Sequence, residues 1–107
     1  MELTYQKSRY TVDDTLAIIA WEGDDEHGYE PYGHVTVNVS AYYHFPLDDT
    51  LVILPTYKMD KEFIETVKND LVERELGEPI PIGYGEGQLV KLKKGWESSV
   101  RMLPEDN

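Results

Sequence analysis

Cysteine is absent from all 107 residues. That removes thiol catalysis, disulfide staples and thiolate metal sites together. Lysine and arginine are absent between Arg9 and Lys58, a stretch that holds Asp13, Asp14, Glu22, Asp24, Asp25, Glu26, Glu30, Asp48 and Asp49. Direct nucleic-acid binding is therefore not expected, because its affinity comes largely from basic side chains displacing counterions. Long apolar runs are absent too. The longest, Leu16-Ala17-Ile18-Ile19-Ala20-Trp21, is far too short to span a bilayer, and no membrane partner is expected. The first residues lack the basic start and apolar stretch of a signal peptide, so a cytoplasmic location is expected. In that setting the Asn38-Val39-Ser40 sequon is a chance match. There is no internal repeat or low-complexity linker.

What remains is one acidic domain of net charge -11. Its length suits a single unit, with an ordered core expected over residues 3–103. A chain of this size buries roughly two-thirds of its unfolded surface, enough for a core without staples. The excess of carboxylates suits solubility or a basic partner. The few bases include a small cluster at Lys91, Lys93 and Lys94.

Residues 3–10 alternate at Leu3 and Tyr5 and read as a first strand. Residues 15–21 form a short continuous apolar run rich in β-formers, which reads as a central strand. Residues 23–28 have loop composition. Residues 33–43 are the clearest strand, with Val35, Val37 and Val39 facing one way and His34, Thr36, Asn38 and Ser40 the other. These two strands read as a hairpin with a long acidic loop. Residues 51–54 form another buried strand, ended by Pro55.

A helix is expected over residues 60–76. Asp60 caps it, and Met59 and Ile64 are placed for a hydrophobic staple. Phe63, Ile64, Val67, Leu71 and Leu76 supply the apolar stripe. Asp70 and Arg74 are spaced for an ion pair, and Gly77 with Pro79 supplies the stop. Residues 78–87 read as loop, residues 88–92 alternate weakly, and residues 98–103 read as a last strand. The expected fold class is α+β: a mostly antiparallel sheet of four to six strands with one amphipathic helix packed on one face.

The stretch Tyr32-Gly33-His34-Val35-Thr36-Val37-Asn38-Val39 is the most distinctive. It is followed by Pro46-Leu47, the apolar residues 51–54, the helix and Leu76-Gly77-Glu78-Pro79. Over roughly residues 14–92 this order resembles a family of small acidic bacterial proteins known only as domain of unknown function 4313. Leu54-Pro55-Thr56-Tyr57 stands where a polar Asp-Thr-Asn-type stretch is expected in that family. The resemblance implies accessory cargo of conjugative, mobile genetic elements in Gram-positive bacteria. The family carries no assigned activity, so no functional residue transfers.

No motif specifies a reaction, and neither a catalytic residue nor a cofactor is assigned. Gly83-Tyr84-Gly85-Glu86-Gly87 is glycine-rich, but no Gly-Lys-Ser/Thr follows and Glu86 would repel a phosphate. It reads as a turn. Adjacent carboxylates such as Asp13-Asp14 point to opposite faces if extended, so adjacency alone makes no acid/base pair. The leading reading is a non-enzymatic binding protein. It presents Asp13, Asp14, Glu22, Asp24, Asp25, Glu26 and Glu30, with Tyr29 and Tyr32, to a basic or DNA-binding protein, in its boldest form as a DNA mimic. Tyrosine adds rigid apolar rings with a polar tip to such a surface. One alternative is a small enzyme or divalent-cation module built on Asp24, Asp25, Glu26 and His27, although calcium-loop spacing is missing. Another is a homo-oligomer joined through a sheet edge. The oligomeric state itself is left open.

Overall fold

The computed structural model describes residues 2–11, 15–38, 50–82, 85–99 and 102–103. The class is as expected, α+β with mostly antiparallel strands and one amphipathic helix, and the strands divide between two sheets.

Sheet one is built on β1 (Thr4–Arg9), β2 (Leu16–Asp24) and β3 (Gly28–His34). β1 pairs antiparallel with β2, and β2 with β3. A two-residue strand near the C-terminus, Met102–Leu103, pairs parallel with β1 and closes that edge. Sheet two is centred on the strand Gly85–Leu92. Along one side of it runs β4 (Leu51–Leu54). Val72–Glu75 and Ile80–Ile82 pair antiparallel with successive stretches of it. In chain order these are β5 (Val72–Glu75), β6 (Ile80–Ile82), β7 (Gly85–Leu92) and β8 (Met102–Leu103). Residues 78–87, expected as loop, thus hold β6 and the start of the central strand β7.

One core cluster serves both sheets and the helix. Tyr5, Ile18 and Ala20 come from sheet one, Val52, Leu54, Val90 and Leu92 from sheet two, and Phe63, Val67 and Leu71 from the helix. A smaller cluster, Ile53 and Ile82 with Val37, Ile80 and Leu89 against them, occupies the other face of sheet two. β4 is therefore apolar on both sides, which explains its unbroken run of Leu51, Val52, Ile53 and Leu54.

The strand expected over residues 33–43 is not one strand in its described part. β3 begins earlier, at Gly28, and ends at His34. The chain then passes from one sheet to the other. The Val35 N–H donates to the Ile18 carbonyl at 2.9 Å, and the Val37 N–H donates to the Ile53 carbonyl at 3.0 Å. Thr36, expected on a polar face, is buried. Its Oγ1 accepts from the Ile18 N–H at 3.1 Å and bonds the Tyr10 hydroxyl at 2.8 Å. Alternation at 34–37 thus records two neighbouring sheets, not one partner strand. Residues 39–43 lie outside the described residues.

Helix α1 spans Lys61–Leu71, ending five residues before the expected stop. Its start is as expected: Asp60 Oδ1 accepts from the Phe63 N–H at 2.8 Å, and Met59 and Ile64 both belong to the core. Beyond Leu71 the next stripe positions are Arg74 and Glu75, so the helix would present charge to the core. Extended, Val72 to Leu76 instead satisfies its backbone against β7, where Val72 pairs Leu92 and the Leu76 N–H donates to Leu89 at 2.8 Å. That pairing removes an open edge from β7. Gly77 does adopt a left-handed φ of 70°, but between β5 and β6, where the Gln88 side chain donates to the Leu76 and Gly77 carbonyls at 3.1 and 3.3 Å. The helix is closed by Lys93. Its N–H donates to the Leu71 carbonyl at 2.8 Å and its Nζ to the Asn69 carbonyl at 2.5 Å, a cation where the helix dipole favours one. The expected Asp70–Arg74 pair does not form. Asp70 faces sheet one and accepts from the Tyr5 hydroxyl at 2.6 Å.

Residues 98–103, expected as a strand, begin inside the short helix α2 (Trp96–Ser99) and reach β8 only at its two residues. Gly95, with φ 71°, sets up α2, and Trp96 is buried in the core. Among the described residues no helix is long and apolar enough to cross a membrane.

Tyr5 gives a pH prediction. Burial, then the hydrogen bond and charge of Asp70, raise its pKa well above the usual 10.0. The folded state holds that proton while the unfolded chain releases it near pH 10. Its contribution is thus complete below about pH 10 and is lost as pH rises beyond it. Wild type should lose stability above that pH more steeply than Tyr5→Phe. At neutral pH Tyr5→Phe should cost about 1 kcal/mol for the lost bond. Urea midpoints at neutral pH and above pH 10 test both statements, and identical alkaline slopes would refute the first.

Candidate functional site

β2 runs continuously into the acidic segment, so the expected long loop is a tight hairpin. Asp24 pairs Gly28 in register, and only Asp25, Glu26 and His27 form the turn. Gly28 has φ 85°, the positive value that three-residue hairpin loops use for glycine. Asp24 holds the turn through Oδ1, which accepts from the His27 backbone N–H at 2.6 Å and contacts His27 Nδ1 at 3.0 Å. The Tyr29 hydroxyl donates to Asp25 Oδ1 at 2.8 Å. Asp24 at the end of β2 and Asp25 in the turn are therefore engaged by their own hairpin.

Glu22 and Glu30 are different. They stand directly opposite each other on neighbouring strands, and both are exposed. Like charges in that register repel and destabilise the pairing.

Closer to the helix the register shifts between Ala20 and Trp21. Tyr32, half-buried, reaches the start of α1. Its hydroxyl donates to Asp60 Oδ2 at 3.2 Å. Its ring meets Phe63 edge-on, with centroids 4.8 Å apart and planes at 80°. Partial burial, the Asp60 bond, and the charges of Asp60, Glu62 and Glu22 all raise the Tyr32 pKa. Glu22, Asp60 and Glu62 thus all act on one phenol. A cleft of about 330 Å³ opens here, lined by Tyr32, Gly33, His34, Lys58, Asp60 and Phe63. Lys58, the lysine among these lining residues, extends over the Tyr57 ring, 5.9 Å from the centroid.

Of the expected site residues, Glu22, Asp24, Asp25, Glu26, Tyr29, Glu30 and Tyr32 come together on this one hairpin. Asp13 and Asp14 lie outside the described residues. Sequence reasoning missed Asp60 and Glu62. Asp60 was legible as a cap, but nothing local announces that a cap 28 positions away in sequence meets Tyr32. Among the described residues no three histidines, aspartates or glutamates are grouped to hold a metal ion.

The fold and hairpin together define an acidic α+β domain of two mostly antiparallel sheets with a carboxylate- and tyrosine-bearing projection. No protein-family model, no curated protein and no solved structure matches the chain. The resemblance drawn from residues 14–92 therefore rests on the quoted residues alone.

Proposed function

We propose that this is a non-enzymatic binding protein that offers its β2–β3 hairpin to a basic protein partner, DNA-binding proteins being the natural class. The observation that carries this reading is the exposed Glu22–Glu30 pair. A like-charge pair in register costs stability where any neutral or basic residue would relieve it. Surfaces kept for binding commonly carry such a cost. Tyr29 and Tyr32 add aromatic area beside the carboxylates, and Lys58, which lines the cleft below them, is turned onto Tyr57.

The test is differential capture from a bacterial lysate. Wild type is compared with the charge-reversed variant Glu22→Lys/Glu30→Lys at low and at moderate salt. Basic proteins held by wild type, released by salt and lost by the variant would support the reading. Recovery of the same proteins by both would refute it. Competition by duplex DNA would single out the DNA-mimic form.

A stability measurement accompanies it. Glu30→Gln should stabilise the protein by about 0.2–1 kcal/mol through relief of the cross-strand repulsion. Sodium chloride should stabilise wild type more than this variant, since screening acts on exposed charges within about 10 Å. Equal salt responses would mean that Glu22 and Glu30 do not interact.

A further inference from the structure

At the far end of α1 the charge reverses. A groove of about 660 Å³ runs between the end of β7 and α2. Three of its lining residues are Lys91, Lys93 and Lys94, the basic cluster already visible in the sequence. Two carboxylates also line it, and both are balanced. Glu97 pairs with Lys7 at 3.1 Å, and Glu73 with Lys91 at 3.8 Å. Lys93 bonds a neutral carbonyl at Asn69, so its charge is not cancelled. Lys94 is exposed and makes no ion pair with a described residue. The groove thus keeps about two positive charges in a chain of net charge -11. Leu92 and Trp96 lie at its base, only 2% and 4% exposed, so the apolar surface a ligand meets is mostly that of the lysine stems around them.

We propose that this groove binds a small organic anion. The anionic head lies toward Lys93 and Lys94, the two charges that no described carboxylate cancels, and an apolar, planar body lies along the lysine stems above Leu92 and Trp96. Two facts jointly support this: a concavity of the size that small molecules occupy, and the local reversal of charge inside an acidic field. That field disfavours large polyanions such as nucleic acid, whose many phosphates would also meet the remaining carboxylates. A compact anion meets only the groove. This inference does not depend on the hairpin reading.

The probe is 2-naphthoate, with 2-naphthalenemethanol as its neutral counterpart and inorganic phosphate as a head without a body. The chain has two tryptophans, so Trp21→Phe leaves Trp96 as the sole indole reporter. Naphthoate should change Trp96 emission saturably, and the alcohol and phosphate should bind at least tenfold more weakly. Lys91→Glu/Lys94→Glu should weaken naphthoate at least tenfold, and Lys94→Glu alone, which breaks no described ion pair, should weaken it severalfold. Lys58→Glu/Lys61→Glu makes the same change in net charge at the other end of α1 and should leave binding unaltered. Equal loss in both double variants would reduce the effect to bulk charge and overturn the proposal. So would equal binding of the alcohol, no binding at millimolar naphthoate, or self-association through the groove, detected as a light-scattering mass that falls in Lys91→Glu/Lys94→Glu.

Discussion

Replacing Leu71 by alanine is expected to cost about 2–5 kcal/mol of unfolding free energy. Domains of this kind have about 5–15 kcal/mol in all, so the variant should be largely unfolded at moderate urea. Leu71 is the last residue of α1, and no part of it is exposed. It shares the core with Val67 and Phe63 on its own helix and with Val72, Val90 and Leu92 from sheet two. Its carbonyl is held by the Lys93 N–H, so the backbone there cannot readily collapse into the space a shorter side chain would leave. Partial collapse is what keeps such losses small elsewhere. Leu76, part of the same stripe if the helix ran on, is only half-buried, and Leu76→Ala should cost clearly less. Urea midpoints at unchanged slope measure both. A loss below about 0.5 kcal/mol at Leu71 is the size of a surface substitution and would mean the stripe is wrongly oriented.

The contrast between Leu71 and Leu76 also shows what could be read in the sequence. Phe63, Val67 and Leu71 recur at helical spacing after a capping Asp60, and each is buried as that pattern requires. The residues at the following stripe positions are Arg74 and Glu75, a stop signal that the more familiar Gly77-Glu78-Pro79 obscured. The strand β2 was legible for a similar reason, since a short apolar run of β-formers has few other uses. What was not legible is pairing. Gly85-Glu86-Gly87 has the composition of a turn, and only its pairing with β6, as the extension of a strand that β4 flanks from Gln88 onward, makes it strand. At 34–37 the alternation was real, but it came from two sheets. Within the candidate site, the hairpin carboxylates were legible as a base-free stretch. The meeting of Tyr32 with Asp60 was not, because it depends on where α1 packs.

Those glycines carry the second large effect. Gly87→Val should destabilise the protein by about 1–3 kcal/mol or more, as overpacking in a close-packed site does. Two tendencies compete. Valine favours an extended backbone over glycine by up to about 1 kcal/mol, which alone would make the change stabilising. Against it, a Cβ at Gly87 would overlap Ile82 and crowd Ile53 and the Leu54 carbonyl. Ile53 and Ile82 are themselves buried in the smaller cluster and have little room to turn away. The Leu54 carbonyl belongs to β4, whose ladder with β7 ends at the Leu54–Gln88 pair. Moving it would loosen the strand that anchors both faces of sheet two. Steric cost therefore exceeds propensity. Gly85 is also crowded, by Tyr57: a Cβ there would overlap both the Tyr57 Cβ, whose place the backbone fixes, and the near edge of its ring. The ring is 49% exposed and can turn outward, but that relieves only part of the overlap, so Gly85→Val should be destabilising on the same scale as Gly87→Val. Glu86→Val, between them and exposed, should fall within about 0.5 kcal/mol of wild type. Thermal and urea unfolding of the three variants give the order directly. If Gly87→Val matched Glu86→Val, β7 would not run through the middle of sheet two, and the floor of the groove beside Leu92 would have to be redrawn with it.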